Sequence, residues 1–352
     1  MKLVKKIAFF LPVMAMIVVI NYIIDPANLY HDHEARIAGL LVEGKDVAIP
    51  KGFNEGEILI HYLNNIKKNF DIIVLGSSRA MPISSASFRG KTLHNLSVSS
   101  ASVQNLQTIY ELMQKNKIQC ETMVMALDPW LIIGGHVAPH PDLDLLYYKN
   151  RDKKQYYCSM MKRYYDILAE LISFSYFQSS IKALFPSRGC GGMTYHEAKN
   201  DGVVDDINVL LSDGSRKWKR SFNKTSTAQA RDEAVKYINN GLKVYSVAPF
   251  NDVMKEEIEQ LFRRIKHSGV DMVFWFPPYH PAVFKKIVSD CPIIIQSEEY
   301  FRDVARKNSM RTYGSYDPGK SGFREEDFFD HHHLKNDPMR RHMMNMAQAL
   351  KL

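Results

Sequence analysis

The sequence predicts an α/β protein built on a parallel sheet with helices on both faces. Short apolar runs that resemble buried strands alternate with segments of helical periodicity, which is the pattern of βαβ units. The first run, Asp71–Leu75, is continuously apolar after its first residue, as is typical of a central parallel strand. Polar or ring-bearing residues follow three of the strands, where sheets of this class bind ligands. The same pattern therefore predicts the fold and the place of a site.

The first half of the chain supplies the opening units of this sheet. Residues 26–70 are interpreted as a membrane-proximal segment that contains a helix near Glu57–Lys68. After the first strand we predict a strand at Thr92–Leu96, a helix at Val103–Lys115 and a strand at Thr122–Leu127.

Residues 136–250 are predicted to be a largely helical insertion, with helices near Tyr156–Phe174 and Ala228–Asn240. The alternating pattern then returns as a helix at Asp252–His267, a strand at Val270–Phe276, a helix near Ala282–Ser289, a strand at Ile293–Ile295, a helix near Glu298–Lys307 and a helix at Asp337–Leu350. We therefore divide the chain into residues 1–25, 26–70 and 71–352, with the insertion inside the last part.

Residues 1–25 are predicted to be an uncleaved signal anchor. Lys2, Lys5 and Lys6 precede an apolar run from Ile7 to Ile24, and a membrane span takes about 20 residues. A cleaved signal peptide is the alternative, but large residues stand where a peptidase requires small ones. The lysines place the N-terminus in the cytoplasm, so the rest of the chain is expected outside it, in the periplasm or at the cell surface.

The net charge of +8 comes without a long Lys/Arg block or a nucleic-acid-binding signature, so no nucleic-acid partner is expected. It is explained either by a solvated basic surface or by attraction to anionic lipids or an anionic cell-wall polymer. The four cysteines show no metal-binding spacing such as CxxC. Whether Cys158 and Cys190 form a disulfide stays open at this point.

Two short motifs far apart in the chain suggest a Ser-His-Asp triad. Ser78 follows the first strand in Gly76-Ser77-Ser78-Arg79, and Asp330 and His333 lie near the C-terminus. A serine at a strand end can act as nucleophile, and an Asp three residues before a His can orient that base. The alternatives are a serine helix cap and a His-rich surface loop.

Further candidates follow the other predicted strands. The loop from His94 to Ser102, which includes Asn95, either presents backbone N–H groups to an oxyanion or forms a plain serine-rich turn. Asp128 and Trp130, and Tyr279 with His280, either form rigid strand exits or line a groove in which aromatic faces stack on sugars.

Taken together, these motifs resemble the SGNH (GDSL-like) hydrolase superfamily, and more narrowly its membrane-anchored extracytoplasmic branch. That branch includes D-alanyl-lipoteichoic acid transfer proteins and alginate O-acetylation proteins. The resemblance covers roughly residues 71–135 and 245–352 and implies a flavodoxin-like three-layer α/β/α fold. It also implies Ser78 as nucleophile, His333 as base and Asp330 as the orienting acid, with no cofactor and no metal.

The resemblance further implies an oxyanion hole that uses the backbone N–H of Ser78. Ser99 or Ser100 stands near the position of a family glycine, and we assign Ser100 to the hole. The family's Asn donor has no counterpart after Trp130. The residues expected to contact substrate are Arg79, Asn95, Asp128, Trp130, Tyr279 and His280.

The leading hypothesis is a membrane-anchored serine esterase or O-acyltransferase that acts on a cell-envelope polysaccharide. Its expected partners are that glycan and an integral membrane protein that delivers acyl groups. A second hypothesis is a non-catalytic carbohydrate-binding or scaffold protein of a polysaccharide modification system. A third is a metal-dependent hydrolase that uses His331–His333.

Overall fold

The structure is a computed structural model that describes residues 2–26, 29–49, 53–134, 140–184, 196–197 and 206–352. Its helices are α1 Lys2–Ile24, α2 His33–Val42, α3 Glu55–Asn65, α4 Val103–Lys115, α5 Pro141–Arg151, α6 Lys153–Leu171, α7 Phe174–Leu184, α8 Arg220–Asn223, α9 Thr227–Asn239, α10 Asp252–His267, α11 Pro281–Asp290, α12 Pro292–Lys307 and α13 Asn336–Leu350. Its strands are β1 Val47–Ile49, β2 Phe70–Leu75, β3 Leu93–Asn95, β4 Cys120–Ala126, β5 His196–Glu197, β6 Asn208–Leu210, β7 Arg216–Lys217, β8 Asp271–Phe276 and β9 Arg311–Gly314.

A five-stranded parallel sheet forms the centre of the molecule and confirms the predicted α/β class. Its spatial order is β3-β2-β4-β8-β9, with every neighbouring pair parallel. The chain first steps from β2 to β3 on one side and then crosses to β4 on the other side of β2. The order of the strands therefore reverses between β2 and β4, and the carboxyl ends of these two strands border a crevice.

Both faces of this sheet are buried, because successive strand residues point to opposite sides. Ile73 and Leu75 of β2 belong to one core, which also includes buried residues of α3, α4, α10, α11 and α12. Ile72 and Val74 belong to the other core, which includes Met339, Met343 and Met346 of α13. Helices thus cover both faces, which is why the strands lack a polar face.

Several predicted elements are confirmed within a residue or two, and α4 and α10 have the predicted bounds. The predicted strand at Ile293–Ile295 is wrong, because these residues lie in the first turn of α12. Pro292 begins that helix, and Ile294, Ser297 and Phe301 are buried at helical spacing. A three-residue apolar run cannot distinguish the two structures by periodicity. The fifth strand is instead β9, which the sequence analysis did not predict.

The insertion is joined to the segment of residues 26–70 by a second, antiparallel sheet. Strand β1 pairs with β5 on one side and with β6 on the other, and β6 pairs with β7. The hairpin of β6 and β7 also reaches the parallel sheet, because the amide of Asn95 donates to Asp213 O at 2.8 Å. The amide of Arg216 donates to Met81 O at 2.7 Å. The insertion therefore contacts the loop that follows Ser78.

The helix predicted near Tyr156–Phe174 is found as α6, which begins at Lys153 and ends at Leu171. A second helix, α7, which the sequence analysis did not predict, begins at Phe174 after a break at Ile172 and Ser173. Cys158 lies exposed on α6 as a free thiol. The expectation about its pairing cannot be followed further, since Cys190 lies outside the described residues.

The N-terminal apolar run forms α1, which spans the predicted segment. Within the ranges given above, no helix is both long and apolar enough to cross a membrane. The signal anchor stays a prediction.

Candidate active site

Ser78 lies on a tight turn directly after β2. The amide of Ala80 donates to Ser77 O at 2.9 Å, which closes the turn. Only glycine fits at position 76, because a Cβ there would come within 2.6 Å of the Ala126 Cβ at the end of β4. The absent side chain allows β2 and β4 to stay close where the turn begins. Ser78 therefore lies at the carboxyl end of the sheet, beside the point where the strand order reverses.

The structure brings Ser78, His333 and Asp330 into one hydrogen-bonded chain. Ser78 Oγ lies 2.9 Å from His333 Nε2, and His333 Nδ1 lies 2.7 Å from Asp330 Oδ2. The second carboxylate oxygen, Asp330 Oδ1, accepts the amides of His332 and His333 at 2.9 and 2.8 Å. A single turn after α12 and β9 thus fixes both the acid and the base. The arrangement has the connectivity of a serine-hydrolase triad.

The charge state of Asp330 suits an orienting acid. Burial by itself would raise the pKa of Asp330, but the charge and the hydrogen bond of His333 outweigh it and hold the pKa well below its usual range. Burial lowers the pKa of His331 to about 4 and that of His332 well below its usual value. The carboxylate is therefore ionised while the two neighbouring histidines are neutral at physiological pH.

An aromatic cluster that the sequence analysis missed surrounds the base. The Phe329 ring stacks on the His333 ring at 5.4 Å, and Trp218 contacts the same imidazole edge-on at 5.8 Å. Phe222 stacks on Phe329 at 4.7 Å. The indole nitrogen of Trp218 is buried and has no hydrogen-bond partner among the described residues. Phe329 could have been predicted to lie at the site because it directly precedes Asp330. Trp218 and Phe222 belong to the insertion, and no motif near them in the sequence indicates that they contact His333.

Arg79 and Asp128, which we expected to contact substrate, are paired with each other in the interior. Arg79 Nη1 donates to Asp128 Oδ1 at 2.9 Å, and Nη2 donates to the carbonyls of Pro277 and Pro278 at 2.6 Å each. Burial would lower the pKa of Arg79, but Asp128 outweighs this and raises it. The guanidinium therefore ties the ends of β2, β4 and β8 together below the nucleophile turn, and its contacts give it a positioning role.

Asn95 and Trp130 also have protein partners instead of an open surface. The Asn95 amide nitrogen donates to the carbonyls of Ala80, Met81 and Ile83 at 2.8, 3.2 and 2.9 Å. The Trp130 indole N–H donates to Ala101 O at 3.1 Å, and both side chains are buried. Asn95 thus holds the loop after Ser78 in place.

Tyr279 and His280 are buried as well. The Tyr279 ring lies 4.4 Å from the Arg79 guanidinium, and its hydroxyl has no partner within the described residues. His280 begins α11, where its Nδ1 accepts the Ala282 amide at 3.2 Å, and its own amide donates to His331 O. Neither ring faces an open groove, so their contacts stabilise the strand exit and the triad loop.

The backbone amides near the predicted oxyanion hole differ in whether a protein acceptor already occupies them. In the part of the chain that the structure describes, the amides of Ser78 and Ser100 donate to no protein acceptor. The Ser99 amide is occupied, because it donates to Glu55 Oε2 at 2.8 Å. Ser100 has a φ of +49°, a left-handed conformation that favours glycine. Val98 donates to Gly76 O at 3.1 Å, which brings this loop beside the nucleophile turn.

A metal site formed by the His-rich loop is the alternative use of these residues. Ligand atoms of Asp330, His332 and His333 lie within 4.8 Å of one another. However, both nitrogens of His333 are within hydrogen-bond distance of Ser78 or Asp330, and both oxygens of Asp330 accept hydrogen bonds. An ion would have to replace these bonds, so the donor set fits a triad better than a metal centre.

An open cleft of about 580 Å³ borders the triad at Asp330. One wall is the face of α9 formed by Gln229, Asp232, Glu233 and Lys236, which are spaced three or four residues apart. The lining residues are Ser221, Phe222, Thr225, Gln229, Asp232, Glu233, Lys236, Phe329 and Asp330. The insertion therefore supplies a polar wall and Phe222 beside the candidate acid Asp330.

A scan of protein-family models finds none that matches this chain, and a search of curated proteins finds no significant match.

Proposed function

We propose that this protein is a serine esterase or O-acyltransferase that acts on a cell-envelope polysaccharide through an acyl-serine intermediate. The observation that carries the proposal is the continuous chain from Ser78 Oγ through His333 to Asp330, with distances of 2.9 and 2.7 Å. A nucleophile, a base and an orienting acid in this order are what acyl transfer to serine requires.

In the proposed reaction, His333 Nε2 takes the Ser78 hydroxyl proton as Oγ attacks the carbonyl carbon of an acyl ester. The ionised Asp330 holds the imidazole with its Nδ1 proton directed at the carboxylate and stabilises the imidazolium that forms. His333 then returns the proton to the departing alcohol. A sugar hydroxyl or water next attacks the acyl-serine, which gives transfer or hydrolysis.

The position of the site within the fold supports the same assignment. When the five strands are renumbered in chain order, their spatial order is 2-1-3-4-5, the flavodoxin-like order. Ser78 follows the strand beside the switch point, as the resemblance to SGNH hydrolases leads us to expect. The amides of Ser78 and Ser100, which donate to no protein acceptor in the described ranges, are the proposed oxyanion donors.

The cleft beside Asp330 is the proposed acceptor site. Gln229 and Asp232 suit the hydroxyl groups of a sugar, and the partly exposed Phe222 offers an apolar edge, since Phe329 is itself stacked between Phe222 and His333. Lys236 pairs with Glu233 at 2.6 Å, so its charge is compensated within the wall. The carboxylates Asp232, Glu233 and Asp330 then favour a neutral glycan over a strongly anionic one.

The proposed setting is the outer face of a membrane, with α1 as the tether. This placement rests on the N-terminal lysines and the apolar run, and a tether favours transfer because it keeps the domain near an acyl-delivering membrane protein. The acyl donor is the proposed contribution of that partner.

The test is intact-mass spectrometry of the full chain in detergent after exposure to a fluorophosphonate probe. The full chain is required because residues of α1 are bonded to the insertion. We expect one adduct on the wild-type protein, none on Ser78→Ala, and an unchanged adduct on Ser289→Ala, an exposed serine at the end of α11. Labelling that persists in Ser78→Ala would refute the assignment.

The same experiment separates the two alternatives. No adduct on folded protein that still binds glycan would favour the non-catalytic scaffold. No adduct, together with a stoichiometric metal ion in the purified protein, would favour the metal-dependent hydrolase.

A further inference from the structure

Helix α1 does not stand apart from the rest of the molecule, because its C-terminal half packs on the hairpin formed by α6 and α7. Asn21, the polar residue inside the apolar run, is buried and donates to the carbonyls of Glu170, Leu171 and Ser173 at 3.0 to 3.2 Å. Its carbonyl oxygen accepts the Ser180 hydroxyl at 3.1 Å. An asparagine in this helix is thus explained by the hairpin that it joins.

The turn after α1 strengthens the same junction. Asp25 is buried and accepts the amides of Leu29 and Tyr30 at 2.7 and 2.8 Å and the Tyr176 hydroxyl at 2.7 Å. The Tyr30 hydroxyl donates to Ile167 O at 2.8 Å. Tyr176 lies near Asp25 and Ser180 near Asn21, so α7 runs antiparallel to α1. Helix α7 therefore extends along α1 toward its N-terminus, and α6 meets α1 at its own C-terminal end.

The outer face of α6 is apolar and aromatic, although it has no partner among the described residues. Its exposed large side chains recur at helical spacing and form one stripe about 22 Å long. The members of the stripe are Tyr157, Met161, Tyr164, Tyr165, Leu168 and Ile172. No residue of α6 is buried, which is unusual for a helix of this composition in a folded domain.

The adjoining helices continue this apolar character. Exposed apolar residues of α1 include Val13, Met16, Val19 and Ile23, and Phe174 and Leu184 of α7 are also exposed. Three helices that contact one another thus each present large apolar side chains outward. We call the exposed residues of α1, α6 and α7 the hairpin face.

We infer that the hairpin face is a membrane-contacting surface, and that α6 and α7 lie in the bilayer interface beside α1. Tyrosine is the amphipathic side chain favoured at headgroup depth, and three of the six stripe residues are tyrosines. Lys153, Lys154 and Lys162 of α6 are exposed, and none has an ion-pair partner within the described ranges. Cationic residues flanking an apolar face suit anionic headgroups.

This surface is independent of the proposed chemistry, since it concerns where the molecule sits. Its consequence is that part of the insertion fixes the orientation of the domain relative to the membrane. A flexible tether alone would leave that orientation free.

The test places a polarity-sensitive fluorophore on Leu168→Cys in the full chain, with Cys120, Cys158 and Cys190 replaced by serine. The protein is reconstituted in vesicles of phosphatidylethanolamine and phosphatidylglycerol that contain nitroxide-labelled acyl chains. Val253→Cys on α10 is the matched control, because Val253 and Leu168 are 67% and 61% exposed. Tyr165→Cys provides a second position on the stripe if Leu168→Cys does not fold.

We expect the label at 168 to shift to shorter wavelength and to lose most of its emission to the nitroxide lipids, while the label at 253 does neither. Failure of the chain to float with vesicles would overturn the inference. So would a floating chain whose label at 168 stays accessible to iodide in water. A label protected from iodide but not quenched by lipid would show that protein covers the face, and it would equally overturn the proposal.

Discussion

The Arg79 guanidinium lies 2.9 Å from the Asp128 carboxylate, and the pair is buried under the turn that carries Ser78. Removing one member of a buried ion pair leaves an uncompensated charge, which costs about 3–5 kcal/mol. We therefore expect Arg79→Met to lower the free energy of unfolding by about that amount, measured by denaturant titration.

The double variant Arg79→Met/Asp128→Asn tests the cause. Because it removes both charges, it should be more stable than Arg79→Met alone. If the two substitutions instead add independently, the pair is not the reason that Arg79 is needed.

Asp330→Asn should lower kcat about 10³ to 10⁴-fold on an acyl-ester substrate while KM changes little. The amide cannot stabilise the imidazolium and favours the wrong tautomer of His333, whereas the cleft keeps its shape. Steady-state kinetics measure this, with Asp252→Asn, which is exposed at the start of α10, as the control. Activity within a fewfold of wild type would show that Asp330 does not act on the base.

Ser100→Gly should raise the free energy of unfolding by up to about 1 kcal/mol, because glycine adopts a φ of +49° without the Cβ clash of serine. Ser99→Gly is the matched comparison and should destabilise, since the Ser99 hydroxyl bonds to Glu55 Oε1 at 3.1 Å. Both are read from chemical denaturation. A loss of stability in Ser100→Gly would indicate that its side chain has a role that these contacts do not show.

His342 should make the protein less stable as pH falls. Burial lowers its pKa from 6.5 to about 4, and its Nε2 accepts the Trp275 indole N–H at 3.2 Å, so it must be neutral in the folded state. Between these two values the unfolded chain binds more protons, so the free energy of unfolding decreases as pH is lowered through that window. The slope from one such group reaches about 1.4 kcal/mol per pH unit.

His342→Gln keeps an acceptor but cannot titrate, so its melting temperature should fall less between pH 6.5 and 4 than that of the wild type. His94 and His331, whose pKa values burial also lowers to about 4, leave part of the slope. His267→Gln, the same substitution at the exposed end of α10, is the matched control. Identical slopes in both variants would contradict the assignment.

The order of strands and helices along the chain could be inferred from local sequence patterns, but which strands lie side by side in the sheet could not. Asp71–Leu75 and Val103–Lys115 signal their structure within a few residues, through a continuous apolar run and a helical period. The run Ile293–Ile295 was too short for either test, and the edge strand β9 is only partly buried and has no continuous apolar run. Strand order across β2 depends on which faces pack together, which no local window contains.

The sequence by itself determined the parallel α/β class, the two motifs that hold Ser78, Asp330 and His333, and an apolar N-terminal helix. Each is encoded in a short window whose periodicity or spacing acts locally. The tertiary structure decided that Arg79, Asn95 and Asp128 face inward, that Trp218 and Phe222 surround the base, and that α1 packs on α6 and α7. Those relationships join residues far apart in the chain, and they arise only when burial and hydrogen bonding are satisfied over the whole molecule at once.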